Sequence, residues 1–153
     1  MQVKEKLEQS LKLLGVDTDM ETFSNRKRLQ KLTYLLDVFG IKLGFKFSWY
    51  LHGPYSTSLT KVLYKKNEEE LKRDVKDYKE DKKKIESLKK FLGRDINSSN
   101  TLELIVSLHY IIKLGRSQNL KDDEIFQLFH RLKPFFSVEE ARYYYKRVGP
   151  LIE

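Results

Sequence analysis

As far as residue 40 the apolar positions recur with the period of an α-helix. Val3, Leu7, Leu11 and Leu14 are spaced by four, four and three residues. They define one face of a short amphipathic helix that Gly15 is suited to stop. Leu29, Leu32, Leu35, Leu36 and Phe39 form a wider stripe ending at Gly40, with Asp17 or Asp19 as its candidate cap. Between residues 45 and 52 the period drops to two. Phe45, Phe47, Trp49 and Leu51 alternate with Lys46, Ser48, Tyr50 and His52. That alternation predicts a short strand with Phe47 and Trp49 in the core. Gly53-Pro54 is expected to end the strand, because proline has no backbone donor for a ladder. Ser56 or Thr57 is placed to cap a further helix bearing Leu59, Val62 and Leu63.

Residues 67–92 are dense in Lys, Asp and Glu, yet Leu71, Val75, Tyr78, Ile85, Leu88 and Leu92 keep a helical stripe. A long, heavily solvated helix is predicted there in preference to a linker. After a break at 93–100, Asn100 and Glu103 have capping-box spacing ahead of "LELIVSLHYIIKLG", a helix apolar on most faces. Ile125, Leu128, Phe129 and Leu132 mark another amphipathic segment, closed by Pro134. Ser137 and Glu140 repeat the capping-box spacing before "ARYYYKRV", which Gly149-Pro150 ends. The whole pattern predicts a mainly α chain: a single helical domain over residues 1–153 with a short β element around 45–52.

Composition changes this picture in two ways. Cysteine is absent from the 153 residues, which removes thiol nucleophiles, disulfides and thiolate metal sites and fits a reducing compartment. The N-terminal stretch breaks its apolar residues with charges, unlike a signal peptide or membrane span. A cytoplasmic protein with no membrane partner is therefore expected. The formal net charge of +8 suits nucleic acid or an acidic protein partner, and self-association into a homo-oligomer stays open. Acids dilute the charge throughout: residues 61–95 carry 13 basic and 9 acidic side chains. A dedicated phosphate-tracking surface shows a purer basic cluster.

"RLQKLTYLLDVFG" followed by "FSWYLHGPYSTSL" resembles the YwgA-like group of uncharacterised prokaryotic proteins, with its K-L-x-Y-L-L helix leading into a W-Y-x-x-G-P-Y-S turn. "LELIVSLHYI" is similar to that group's downstream helix, so the likeness spans roughly residues 26–145. The first half also resembles the Panacea (SocA-like) domain of bacterial antitoxins, through Lys31, Leu32, Tyr34, Trp49, Gly53 and Pro54. His52 and Tyr55 depart from that second pattern. The Panacea likeness implies neutralisation of a toxin, or adaptation of a protein to a protease, by protein contact and without catalysis.

Candidate chemistry centres on the stretch from Trp49 to Tyr55. His52, set between Tyr50 and Tyr55 beside a Gly53-Pro54 turn, would be the base of a hydrolase, but no nucleophile or acid partner accompanies it in sequence. A hydrogen bond within the turn is its structural alternative. His52, His109 and His130 lack metal-ligand spacing, and the scattered glycines form no phosphate loop, so neither metal nor cofactor is indicated. Arg26, Lys27, Arg28 and Lys31 open the helix before the strand, and Lys61, Lys65 and Lys66 follow on the helix after it. A strand and turn flanked by basic side chains is compatible with a winged-helix-like element that neutralises phosphates. Lys27 and Lys31, one helical turn apart, equally suit a solvated outer face. Tyr143, Tyr144 and Tyr145 stand beside Arg142, Lys146 and Arg147, a combination that serves base stacking or protein anchoring. Successive helical residues diverge by about 100°, so the three tyrosines cannot share one surface. The expectation is a non-enzymatic regulatory or interaction module, associated with nucleic acid or, alternatively, binding protein as an antitoxin or adaptor does.

Overall fold

The computed structural model describes residues 3–65 and 79–152. Its regular structure is mainly helical, with one small two-stranded antiparallel ribbon, as the periodicity implies. No helix among the described residues is long and apolar enough to cross a membrane. Two compact units divide the chain, Met1–Ser99 and Asn100–Glu153.

In the first unit, α1 (Val3–Leu13) and α2 (Phe23–Val38) pack on each other and on α4 (Lys79–Leu92). Leu7, Leu11, Leu32, Leu35, Ile85 and Leu88 form the dry centre, each 1 % exposed or less. Such a cluster supplies most of the driving force, at about 1.5–3 kcal/mol per buried aliphatic side chain. The cap of α2 differs from expectation. Thr22 occupies it, its Oγ1 accepting from the Asn25 N–H at 3.1 Å. Asp17 and Asp19 instead accept from the Asp19 and Glu21 N–H groups, shaping the incoming loop. At its far end α2 closes with Gly40 at φ +101°, Gly40 N–H donating to Asp37 O and Ile41 N–H to Leu36 O. That pair of bonds is a Schellman cap, whose left-handed position favours glycine. The charged helix predicted near 67–92 is helical over Lys79–Leu92; residues 67–78, and Lys66 before them, lie outside the described residues.

The β element is a hairpin, β1 (Ser48–Tyr50) paired with β2 (Gly53–Tyr55). The strand is thus shorter than 45–52, and Gly53-Pro54 continues the ribbon where it was expected to end it. Pro54 sits opposite Trp49, and both strands of a two-stranded ribbon are edges, where proline is tolerated. Tyr50 pairs with Gly53 across the two residues Leu51 and His52. Gly53, the first residue of β2, follows that two-residue turn at φ +86°, a left-handed conformation that favours glycine. Trp49 and Phe47 are half-buried rather than core residues, because a two-stranded ribbon has too little width to enclose one face. Phe47 packs edge-on against Tyr34 at 5.2 Å. Ser56 then caps α3 (Thr57–Tyr64), accepting from the Leu59 N–H.

The second unit holds α5 (Ser99–Ser117) from its second residue on, α6 (Asp122–Leu132) and α7 (Val138–Val148). α5 is buried on most faces, from Leu102 to His109 without interruption. Glu103, expected to serve a capping box, accepts from the Lys133 Nζ at 3.0 Å in a nearly dry ion pair. Gly115 lets α5 approach α6, since a Cβ there would lie 2.7 Å from Ile125 Cγ1. The box at Ser137 and Glu140 forms as predicted. The three tyrosines of α7 diverge: Tyr143 is exposed, Tyr144 lies under Arg147, and Tyr145 packs on Phe126 with its hydroxyl donating to Asp122.

Candidate ligand cleft between α2 and the hairpin

One face of α2 explains the site. Phe23, Arg26, Lys27, Gln30 and Lys31 follow spacings of three, one, three and one, so they share a helix face. This face lines a cavity of about 320 Å³. The opposite wall comes from the hairpin, through Tyr50, Leu51, His52, Gly53 and Tyr55, and from Thr60 and Tyr64 of α3. Met20 completes it from the loop before α2.

Two adjacent residues of α2 hold the hairpin in place. The Lys31 Nζ donates to the Pro54 carbonyl at 2.6 Å, with the side chain 1 % exposed. Gln30 Nε2 donates to Ser56 O and Gln30 Oε1 accepts from Ser56 N–H, both at 2.9 Å. The amide thereby mimics a strand neighbour for a residue that has none. Gln30 also donates to Thr60 Oγ1, which is hydrogen-bonded to the Tyr55 hydroxyl. Carbonyls, amides and hydroxyls at the corner are thus satisfied by side chains of α2, a condition for burying them.

Rings form much of the inner surface. His52 meets Phe23 edge-to-face at 4.9 Å, and Tyr50 meets Tyr55 in the same manner at 5.4 Å. Lys27 Nζ stands 5.8 Å from the centre of the Phe23 ring. Phe23 and Tyr64 are each more than half exposed, at 52 % and 55 %. Arg26 is anchored by its Nη1, which donates to Met20 O at 2.8 Å and Glu21 O at 3.0 Å. No carboxylate among the described residues lines the cavity. No set of three or more metal-binding side chains occurs among them either.

The sequence-predicted residues are therefore sorted. Arg26, Lys27, Tyr50, His52, Gly53 and Tyr55 meet at the cleft. Lys31 lines it too, but as a buried strut and not on a solvated face. Pro54 and Trp49 belong to the ribbon behind it. Arg28 does not line the cavity: its Nε donates to Ile96 O at 2.7 Å, tying α2 to the 93–97 turn, and burial lowers its pKa while Asp17 opposes that shift. Lys61 and Lys65 are exposed on and just after α3 without lining the cavity, and Lys66 lies outside the described residues. Gln30, Phe23, Thr60 and Tyr64 were not singled out by the sequence. The available signal was the five-residue face on α2, obscured because the stripe of leucines draws attention to the opposite face.

Comparison with known proteins matches no family model, no curated protein and no solved structure. The likeness to the YwgA-like and Panacea groups therefore rests on the quoted motifs.

Proposed function

We propose that this protein is a non-enzymatic binding module that associates with nucleic acid through the α2–hairpin cleft. The observation that carries the reading is the makeup of the cavity wall: aromatic rings with the basic residues Arg26 and Lys27 beside them, and no acidic side chain among the described residues that line it. Ring faces hold bases whatever their sequence, and nearby cations offset phosphate charge. Lys61 and Lys65, exposed on and after α3, extend the basic character beyond the cavity. His52 meets the Phe23 ring in this cleft, a contact that suits a wall built to hold a planar ligand.

The test is a salt series of electrophoretic mobility shifts with single-stranded and duplex DNA and RNA. Wild type runs beside a Lys27/Lys61/Lys65→Ala variant whose helicity is checked by circular dichroism. Retention of a single strand that falls with salt and drops in the variant supports the reading. Absence of retention at low salt overturns it and favours the antitoxin or adaptor alternative. That alternative draws on Leu51, 91 % exposed at the hairpin tip beside a half-exposed Tyr50, since an aromatic and apolar tip is what a protein partner would anchor on.

A further inference from the structure

We infer that the cleft is a pocket for one unpaired nucleotide, which takes the base out of a single strand and holds it among rings. This inference rests on the nucleic-acid reading above and narrows it from a surface to a single binding position. Size comes first. A cavity of about 320 Å³ lies at the lower end of the roughly 300–1,000 Å³ typical of ligand pockets. It suits one nucleotide and is too small for a run of stacked bases.

The wall chemistry supplies the second argument. Phe23 and His52 on one pair, and Tyr50 and Tyr55 on the other, present rings to a planar ligand from α2 and from the hairpin. Such rings grip any base through its π-face, and unstacked bases of single strands are the species available to them. The polar groups at the corner are largely occupied with one another: the Gln30 amide binds Ser56 and Thr60, and Tyr55 is bonded to Thr60. Base-edge readout is correspondingly weak, and the pocket accepts different bases. Lys27 lines the cavity close to the Phe23 ring. A cation there meets the phosphate of a base lodged against that ring.

Rigidity is the third. The hairpin wall is fixed to α2 by Lys31 on Pro54 and by the two-way Gln30–Ser56 pair. A pre-formed slot loses little freedom on binding, which is the condition for a small contact to yield measurable affinity.

The experiment uses the full chain and fluorescence anisotropy at low salt. A labelled single-stranded oligothymidylate is compared with an abasic deoxyribose-phosphate chain of the same length, with thymidine 5′-monophosphate and inorganic phosphate as competitors. The intact strand should bind about tenfold or more tighter than the abasic chain. The monophosphate should displace it at concentrations where inorganic phosphate does not. Phe23→Ala, which removes a half-exposed ring outside the hydrogen-bonded frame, should abolish the difference between intact and abasic strands. Lys27→Ala should weaken both strands alike. Equal binding of intact and abasic strands would overturn the pocket and leave the broader nucleic-acid reading standing. Failure of both strands to bind at low salt would overturn both.

Discussion

Lys31 shows how one residue can mislead a reading of charge. It lies one helical turn after Lys27, yet it is 1 % exposed and its amine serves the Pro54 carbonyl. Lys31→Met keeps most of the stem and deletes the hydrogen bond, for an expected loss of about 1.5–3 kcal/mol by urea denaturation. Lys31→Ala also leaves a cavity and should lose more, about 2–5 kcal/mol. Equal stability of Lys31→Met and wild type would show that the strut contributes nothing. His109 makes the complementary point about burial. Desolvation, with a smaller push from Lys113, lowers its pKa from 6.5 to about 4. The unfolded chain therefore takes up a proton near pH 6.5, before the native state does. Stability from neutral His109 is fully present above pH 6.5 and declines as pH falls towards about 4, where the loss levels off. The total is on the order of 3 kcal/mol. Melting His109→Gln beside wild type at pH 7, 5.5 and 4 should show a shallower decline in the variant; parallel declines would assign the acid sensitivity to other groups.

Elements test the same logic through backbone contact. Alanine is a better helix former than glycine by about 1 kcal/mol, so Gly115→Ala would stabilise α5 if space allowed. Its Cβ would instead meet Ile125 Cγ1 at 2.7 Å, on the facing helix α6. Overpacking typically costs about 1–3 kcal/mol, so the variant should lose stability on balance; a raised melting temperature would mean that α6 yields at no cost. The sequence made several elements readable for physical reasons. Helical stripes at Leu7–Leu11 and Leu29–Leu36, and the caps at Ser56 and Ser137, are local signals carried by spacing alone. The hairpin was half legible: period two located β1, but nothing local told that Pro54 would pair with Trp49 in a ribbon made only of edges. The site was less legible still. Gln30 holds Ser56 from 26 residues away and Arg28 reaches Ile96 from 68, and tertiary partners of that kind leave no trace in spacing. The cleft's aromatic wall was visible in Tyr50, His52 and Tyr55, whereas Phe23 gained its role only when α2 brought it to His52.

At the scale of the whole molecule the question is whether the net charge of +8 or the placement of a few cations governs association. A diffuse positive field raises the rate of encounter with any polyanion and is insensitive to which lysine is removed. Direct neutralisation is counted contact by contact, because each phosphate paired on a single strand contributes about 0.7 to the slope of log affinity against log salt. Lys27 in the cavity and the exposed Lys61 and Lys65 offer about three such contacts, which predicts a slope near −2. Lys27→Ala should reduce its magnitude by about 0.7. Lys146→Ala removes the same unit of net charge from an exposed position on α7 that does not line the cavity, and should leave the slope unchanged. Anisotropy titrations of a single strand at several salt concentrations measure all three slopes. Should Lys146→Ala alter the slope as much as Lys27→Ala, the attraction belongs to the molecule's total charge and the cleft has no privileged part in it. A change confined to Lys27→Ala ties the polyanion to the face of α2 that carries Phe23, the same face on which Lys31 and Gln30 fix the hairpin.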